Sequence, residues 1–293
     1  VDTFNIASVT TITEAYNTVD LTTEVLAAEA LKEGANVEIT GGAISAANLN
    51  TLASDTTIGN ITATATETAA ATLVGLTTTN TDMITVTMAS ASTAAADLNT
   101  IDGKTGTAVN ATAITALTGA ASDVKTALAS TGITTVTGSL AVNVSGNTSV
   151  ADINTINADT ATGVVTATAS ETDATTLVTL TTTATDMITV DLSLDVNANA
   201  TDVATINSKT GGIVTVKEVD VTAGTFDLLS ALKGTDADLS GITGLTTIDA
   251  TNMATTALNL NLADLFAAND AATFNIAVKL GAEDSLKLLT TDA

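Results

Sequence analysis

Twenty of the 25 residues from Thr62 to Val86 return in the same order from Thr166 to Val190, 104 positions further on. Close repetition over that distance marks a chain built from copies of one unit, and it outranks any local motif. A unit of this kind buries its apolar side only against its neighbours, so the fold implied is a stack of similar turns. The differences between the copies are selective. Leu73, Leu76, Met83, Ile84 and Val86 recur as Leu177, Leu180, Met187, Ile188 and Val190, whereas Ala69 becomes Asp173 and Gly75 becomes Thr179. The inward set is kept and the outward set drifts, as a scaffold requires.

A shorter motif subdivides the long one. Asn48–Leu52 (NLNTL), Asp97–Ile101 (DLNTI), Asp152–Ile156 (DINTI) and Asp202–Ile206 (DVATI) follow one another at 49, 55 and 50 residues. Two copies continue as DLNTIDGKTG (97–106) and DVATINSKTG (202–211). Between them lie β-rich runs at 37–40, 60–65, 83–88, 107–112, 133–137, 164–169, 187–192, 213–216 and 245–250, starting 23 to 32 residues apart. One strand plus a short helix or loop occupies that length in a repeat protein. The spacing predicts a mainly β fold with short helices, a right-handed parallel β-solenoid of about 24–26 residues per coil. Its hand follows from the crossover preference of parallel strands. The motif then marks two coils, and the long repeat four.

Helix starts are legible at Ser149-x-x-Asp152, Asn199-x-x-Asp202, Thr235-x-x-Asp238 and Asn261-x-x-Asp264, variants of the capping box with Asp in place of Glu. Longer helices are expected at 21–33, 121–129 and 226–232, and corners at Gly103, Gly132, Gly163 and Gly211, since the chain has no proline. The organisation read from these signals has three parts. Residues 1–35 form an atypical capping coil with a helix, 36–250 the repetitive solenoid, and 251–293 the C-terminal coil or coils, a stacking or capping end. The pentapeptide TFNIA stands at both 3–7 and 273–277. It is either chance in a low-complexity chain or a sign of head-to-tail stacking within a longer array.

Composition fits a thin interior. Only five aromatics occur, none between Tyr16 and Phe226, so the core there packs with aliphatics, alanine and threonine. Threonine, favoured in strands, supplies 65 of 293 residues. The net charge of −24 repels nucleic acid and anionic membranes. No apolar run reaches the roughly 18–20 residues needed to span a bilayer. Without His, Cys or Arg there is no imidazole base, thiol nucleophile or bidentate anion clamp, so the chain is not expected to be an enzyme. Calcium is the ligand that so acidic a chain suits, because it takes carboxylate, carbonyl and water oxygens. The candidate pairs are Asp236 with Asp238, Asp191 with Asp195, and Glu283 with Asp284. Thr-x-Thr runs at 62–66 and 166–168 place hydroxyls on one strand face, where ordinary β-propensity competes with a glycan- or ice-binding role.

At DLNTIDGKTG, DINTINADT and the repeated TDMITV, the chain resembles the Thr/Ala/Asp-rich repeat regions of large secreted bacterial proteins, of cyanobacterial hemolysin-type, surface-layer or adhesin-like kind. The resemblance covers about residues 40–250 and implies an extracellular or cell-surface setting rich in calcium. The tandem GGxGxD calcium repeats of such proteins are missing from this segment. The function expected is structural: a repeat unit of a surface layer, filament or adhesin that self-associates through solenoid ends or lateral acidic faces. The alternatives are a glycan- or ice-binding solenoid using a Thr/Asn face, and a β-helical enzyme acting on polysaccharide.

Overall fold

The computed structural model describes residues 11–15, 34–54, 58–135, 139–160, 162–195, 198–220, 226–227, 242–251, 257–261, 277–280 and 285–289. Over these residues the chain is mixed α/β, parallel strands alternating with short helices. Its contacts divide it into two compact units, Val1–Leu140 and Ala141–Ala293, with one copy of the long repeat in each.

The first unit opens with β1 (Thr11–Ala15), β2 (Asn36–Thr40), α1 (Ala46–Ala53), β3 (Ile61–Thr64), α2 (Ala70–Leu73) and β4 (Met83–Thr85). It continues through β5 (Ser92–Ala94), α3 (Ala95–Asp102), β6 (Val109–Ala111), β7 (Ala116–Ala120), α4 (Ala121–Ala129) and β8 (Ile133–Thr135). Strands β1 to β4 pair in chain order, β5 pairs with β7, and β6 with β8.

The second unit begins with β9 (Ala141–Thr148), α5 (Val150–Thr160), β10 (Val165–Ala169), α6 (Ala174–Leu177), β11 (Met187–Leu192), α7 (Ala200–Asn207) and β12 (Val214–Val216). Then come β13 (Glu218–Asp220), β14 (Phe226–Asp227), β15 (Ile242–Thr243), β16 (Thr247–Ala250), β17 (Ala257–Asn261), β18 (Ala277–Leu280) and β19 (Ser285–Leu289). Strands β9 to β12 pair in order and β15 follows β12. Two further three-stranded sheets have the orders β13-β16-β18 and β14-β17-β19.

Every strand pair among the described residues is parallel, with partners 21 to 32 positions apart in the chain. Each of the nine expected β-rich runs contains a strand, and Met187–Leu192 and Ala121–Ala129 match end to end. The helix expected at 226–232 is corrected at its start, where Phe226 and Asp227 pair with Leu258 and Asn259 as a strand; 228–232 lie outside the described residues. Pairing with a neighbouring strand satisfies backbone groups that an isolated short helix leaves open. The helix expected at 21–33 lies outside the described residues. Strands β7 and β9 fall where none was expected, because Gly119 (φ 142°) and Gly146 (φ 75°) interrupt their alternation.

Burial alternates along the strands. In β10, Val165, Ala167 and Ala169 are buried and Thr166 and Thr168 exposed; in β11, Ile188, Val190 and Leu192 are buried. Parallel sheets covered on both faces read as continuous apolar runs, so this alternation marks a parallel sheet with one face in solvent.

The five-residue motif has a division of labour. Its second and fifth residues, three apart on a helix, are Leu49 and Leu52, Leu98 and Ile101, Ile153 and Ile156, and Val203 and Ile206, all 0% exposed. Its fourth residue is always threonine, and Thr51, Thr100, Thr155 and Thr205 each donate to the carbonyl four residues back, at 2.8–3.1 Å. The third residue reaches the following segment. Asn50 Nδ2 donates to Gly75 O at 2.8 Å and its Oδ1 accepts from Thr77 N at 2.8 Å. Asn154 repeats this with Thr179 O and Thr181 N, at 2.9 and 2.8 Å. The fourth copy has Ala204 there and cannot make the contact.

Buried polar groups complete the lacing, in the same way in both units. Asp82 accepts from Ile61 N and Thr79 N, both at 2.8 Å, while Asp186 accepts from Val165 N and Thr183 N, both at 2.9 Å. Thr105 Oγ1 accepts from Ile84 N and donates to Ile84 O; Thr210 does the same to Ile188. The glycine after each threonine admits a close approach. A Cβ on Gly106 or Gly211 would stand 2.6 Å from Asn80 O or 2.5 Å from Ala184 O. Expected capping is found at Ser149, which accepts from Asp152 N at 3.1 Å, and at Asn199, which accepts from Asp202 N at 2.9 Å.

Removing a buried acceptor orphans its donors, at about 1–3 kcal/mol for each buried group left unsatisfied. Asp186→Ala and Asp82→Ala should therefore each lower unfolding free energy by roughly that amount or more. The exposed Asp191→Ala should change it by less than about 0.5 kcal/mol. Equal effects in urea melts would show that these segment-bridging carboxylates do not hold the fold.

Candidate functional site

The sequence-nominated acids separate into three cases. Asp236, Asp238, Glu283 and Asp284 lie outside the described residues. Asp191 is exposed on β11, where its Oδ1 accepts from Ser193 N at 2.9 Å. Hydrogen bonds from Ser193 hold its carboxyl below the ordinary aspartate range. Asp195 is half-buried, and its Oδ2 accepts from Ala174 N at 2.8 Å, at the start of α6. Asp173 caps the same helix through Thr176 N at 2.8 Å, so two carboxylates face the positive end of that helix. Asp191 and Asp195 thus hold two different backbone segments.

The acids that do converge come from strands far apart in sequence. Glu218 and Asp220 lie on β13 and Asp249 on β16, and one carboxylate oxygen from each falls within 4.8 Å of the others. Strand register causes this. Asp220 is the direct partner of Asp249, and Asp249 of Lys279 on β18. Like charges opposite one another on neighbouring strands are unfavourable, and Lys279 offsets them. Its Nζ lies 2.5 Å from Glu218 Oε1 and 3.1 Å from Asp249 Oδ2.

The two paired aspartates are driven in opposite directions. Asp249 accepts from Thr251 Oγ1 at 2.6 Å and Thr251 N at 3.0 Å. These bonds, helped by Lys279, hold its pKa at about 2. Asp220 is pushed above the usual aspartate range, first by burial and then by the negative charges of Asp249, Glu218 and Asp195. Adjacent carboxylates signalled nothing in the sequence, because the partners stand 29 and 30 residues apart, one strand spacing each.

This cluster could hold a metal ion. Calcium takes six to eight oxygens, of which the three residues supply part. A cation there would compete with the Lys279 ammonium for Glu218 and Asp249. Elsewhere, a cavity of about 240 Å³ is bordered by Asn60, Thr77, Thr79, Thr81 and Asp82. Asp82 is its one ionisable lining residue, and both its oxygens are engaged by backbone N–H groups.

No protein-family model matches this chain, and no curated protein or solved structure matches it. No helix among the described residues is long and apolar enough to cross a membrane.

Opposite pKa shifts give opposite pH signatures. Asp249, depressed in the fold, contributes stability that is present above its unfolded pKa near 3.8 and is lost as pH falls through about 2. Asp220, raised in the fold, opposes folding at neutral pH, and that penalty fades as acid protonates it. At pH 7, Asp249→Asn should lower the melting temperature and Asp220→Asn should raise it. Shifts of the same sign would refute this account of the charge ladder.

Lys279→Met should destabilise the neutral-pH protein. Millimolar calcium should restore the melting temperature of that variant more than it raises that of the wild type. Equal calcium responses would show that the ammonium and the cation do not share a site.

Proposed function

We propose that this protein is an extracellular structural protein, a right-handed parallel β-solenoid that serves as a repeat unit of a surface layer, filament or adhesin and associates with further copies of itself. The carrying observation is that the two copies of the long repeat, in separate units, make the same contacts with their flanking segments, atom for atom: Asp186 bonds as Asp82 does, Thr210 as Thr105 and Asn154 as Asn50. Conservation of that lacing, while outward residues change, fits selection for a stack and not for a catalytic pocket.

Parallel pairing at 21 to 25 residues through β1–β4, with alternating burial, supports coils of one strand and one short helix or loop. The resemblance to secreted bacterial repeat regions supports the cell-surface setting. Calcium is the cation this reading would place at Glu218, Asp220 and Asp249, with three carboxylates from two neighbouring strands. A role in holding structure makes no use of the imidazole, thiol and guanidinium groups that the chain lacks.

Negative-stain microscopy of the purified protein, with and without calcium, tests the reading. Filaments or sheets are expected; monomers at every concentration and calcium level would overturn it.

A further inference from the structure

We propose that two copies of this chain associate laterally through the outward face of β9–β12 and β15, a surface almost free of charge in a strongly acidic protein. The inference rests on the self-association proposed above and names the surface that carries it.

Charge is the constraint. At −24 per chain, two copies repel wherever their acidic surfaces approach within a Debye length, about 8 Å at physiological ionic strength. Close lateral contact therefore needs a face from which the carboxylates have been removed. Among the exposed residues of β9, β10, β11, β12 and β15, Asp191 alone is charged, and Ser193 N holds its carboxylate. The other acids of this region sit in loops, at helix starts, in the last turn of α5 (Asp159) or on β13 (Glu218 and Asp220). Glu171 accepts from Val150 N, Asp173 from Thr176 N, Asp186 from Val165 N and Asp195 from Ala174 N. The lacing that stabilises the strands thus also clears the face of negative charge.

What remains on the face is apolar, hydroxyl-bearing and, at Asn143 and Asn147 of β9, amide-bearing. Val164, Met187 and Ile213 are 39%, 45% and 52% exposed, large values for aliphatic side chains. Thr168 pairs in register with Thr189, and Thr166 with Met187. Hydroxyls both donate and accept, so such a face can satisfy a copy of itself across a two-fold axis. It offers no aromatic ring on which a sugar could stack, which favours a second copy over a glycan.

The first unit supplies an internal control. Its counterparts of Val164 and Ile213 are Asn60 and Ala108, so the aliphatic cluster is absent from the equivalent strands. Met83 and Met187 are exposed alike in the two units, and Val164 and Ile213 extend the apolar patch in the second alone.

Sedimentation analysis of the full chain over a concentration series reads the effect, with circular dichroism confirming the fold of each variant. Ile213→Asp and, independently, Thr189→Asp should weaken association at least tenfold, with partial recovery in high salt. Ala108→Asp, at the equivalent place in the first unit, should leave it unchanged. Should the wild type associate and both face variants associate equally well, this surface is wrong while the assembly reading stands. A wild type that stays monomeric under all conditions overturns both. Retention on an insoluble neutral polysaccharide that is lost in the same two variants would assign the face to a glycan and overturn the second copy as its occupant.

Discussion

Everything in this protein hangs on parallel strands held side by side in register. A parallel ladder fixes which residue of one segment lies beside which residue of the next, and that neighbour is 21 to 32 positions away in the chain. Side chains therefore meet like with like: valine on valine at Val190 and Val214, threonine on threonine at Thr168 and Thr189. For apolar residues this stacking builds a continuous core without large rings. For charged residues it is a hazard, since aspartate lands on aspartate at 220 and 249.

The chain handles its acidity by giving carboxylates backbone partners. Asp82, Asp186, Glu67, Glu171 and Asp195 each accept from an N–H group on the preceding segment, 21 residues earlier. An N–H group at a strand or helix start would otherwise stand unsatisfied, and a carboxylate meets it with a charge-assisted bond. One set of residues thereby joins successive segments and keeps negative charge off the outward sheet face. At Asp220 burial raises the pKa, and Lys279, two strands along on β18, pairs with the neighbouring Glu218 and Asp249.

Duplication supplies a comparison within one molecule. Positions that hold segments together, such as Asn50 and Asn154 or Gly106 and Gly211, are the same residue type in both units. Positions that look outward are free to diverge, and Asn60 to Val164 and Ala108 to Ile213 are changes that create an exposed aliphatic cluster. Structure is copied, and surface character is altered on top of it.

Periodicity made much of the fold legible beforehand. The nine β-rich runs, the caps at Ser149 and Asn199, and the helix at Ala121–Ala129 could be read directly, because apolar spacing and capping chemistry are local properties. The recurring DLNTI-type motif could be located but not explained, since its asparagine acts on a segment 25 to 27 residues away. The convergence of acids was hidden for the same reason: adjacency in sequence nominated Asp191 with Asp195, which bond to separate backbone segments, whereas register joined Glu218, Asp220 and Asp249. What the sequence by itself determined was the repeat length, the overall acidity and the inward apolar set except Met83 and Met187, which were read as inward and are 46% and 45% exposed. Only the tertiary structure decided which carboxylates meet one another and which meet the backbone, because strand register is set by the cooperative fit of whole segments and not by any one of them.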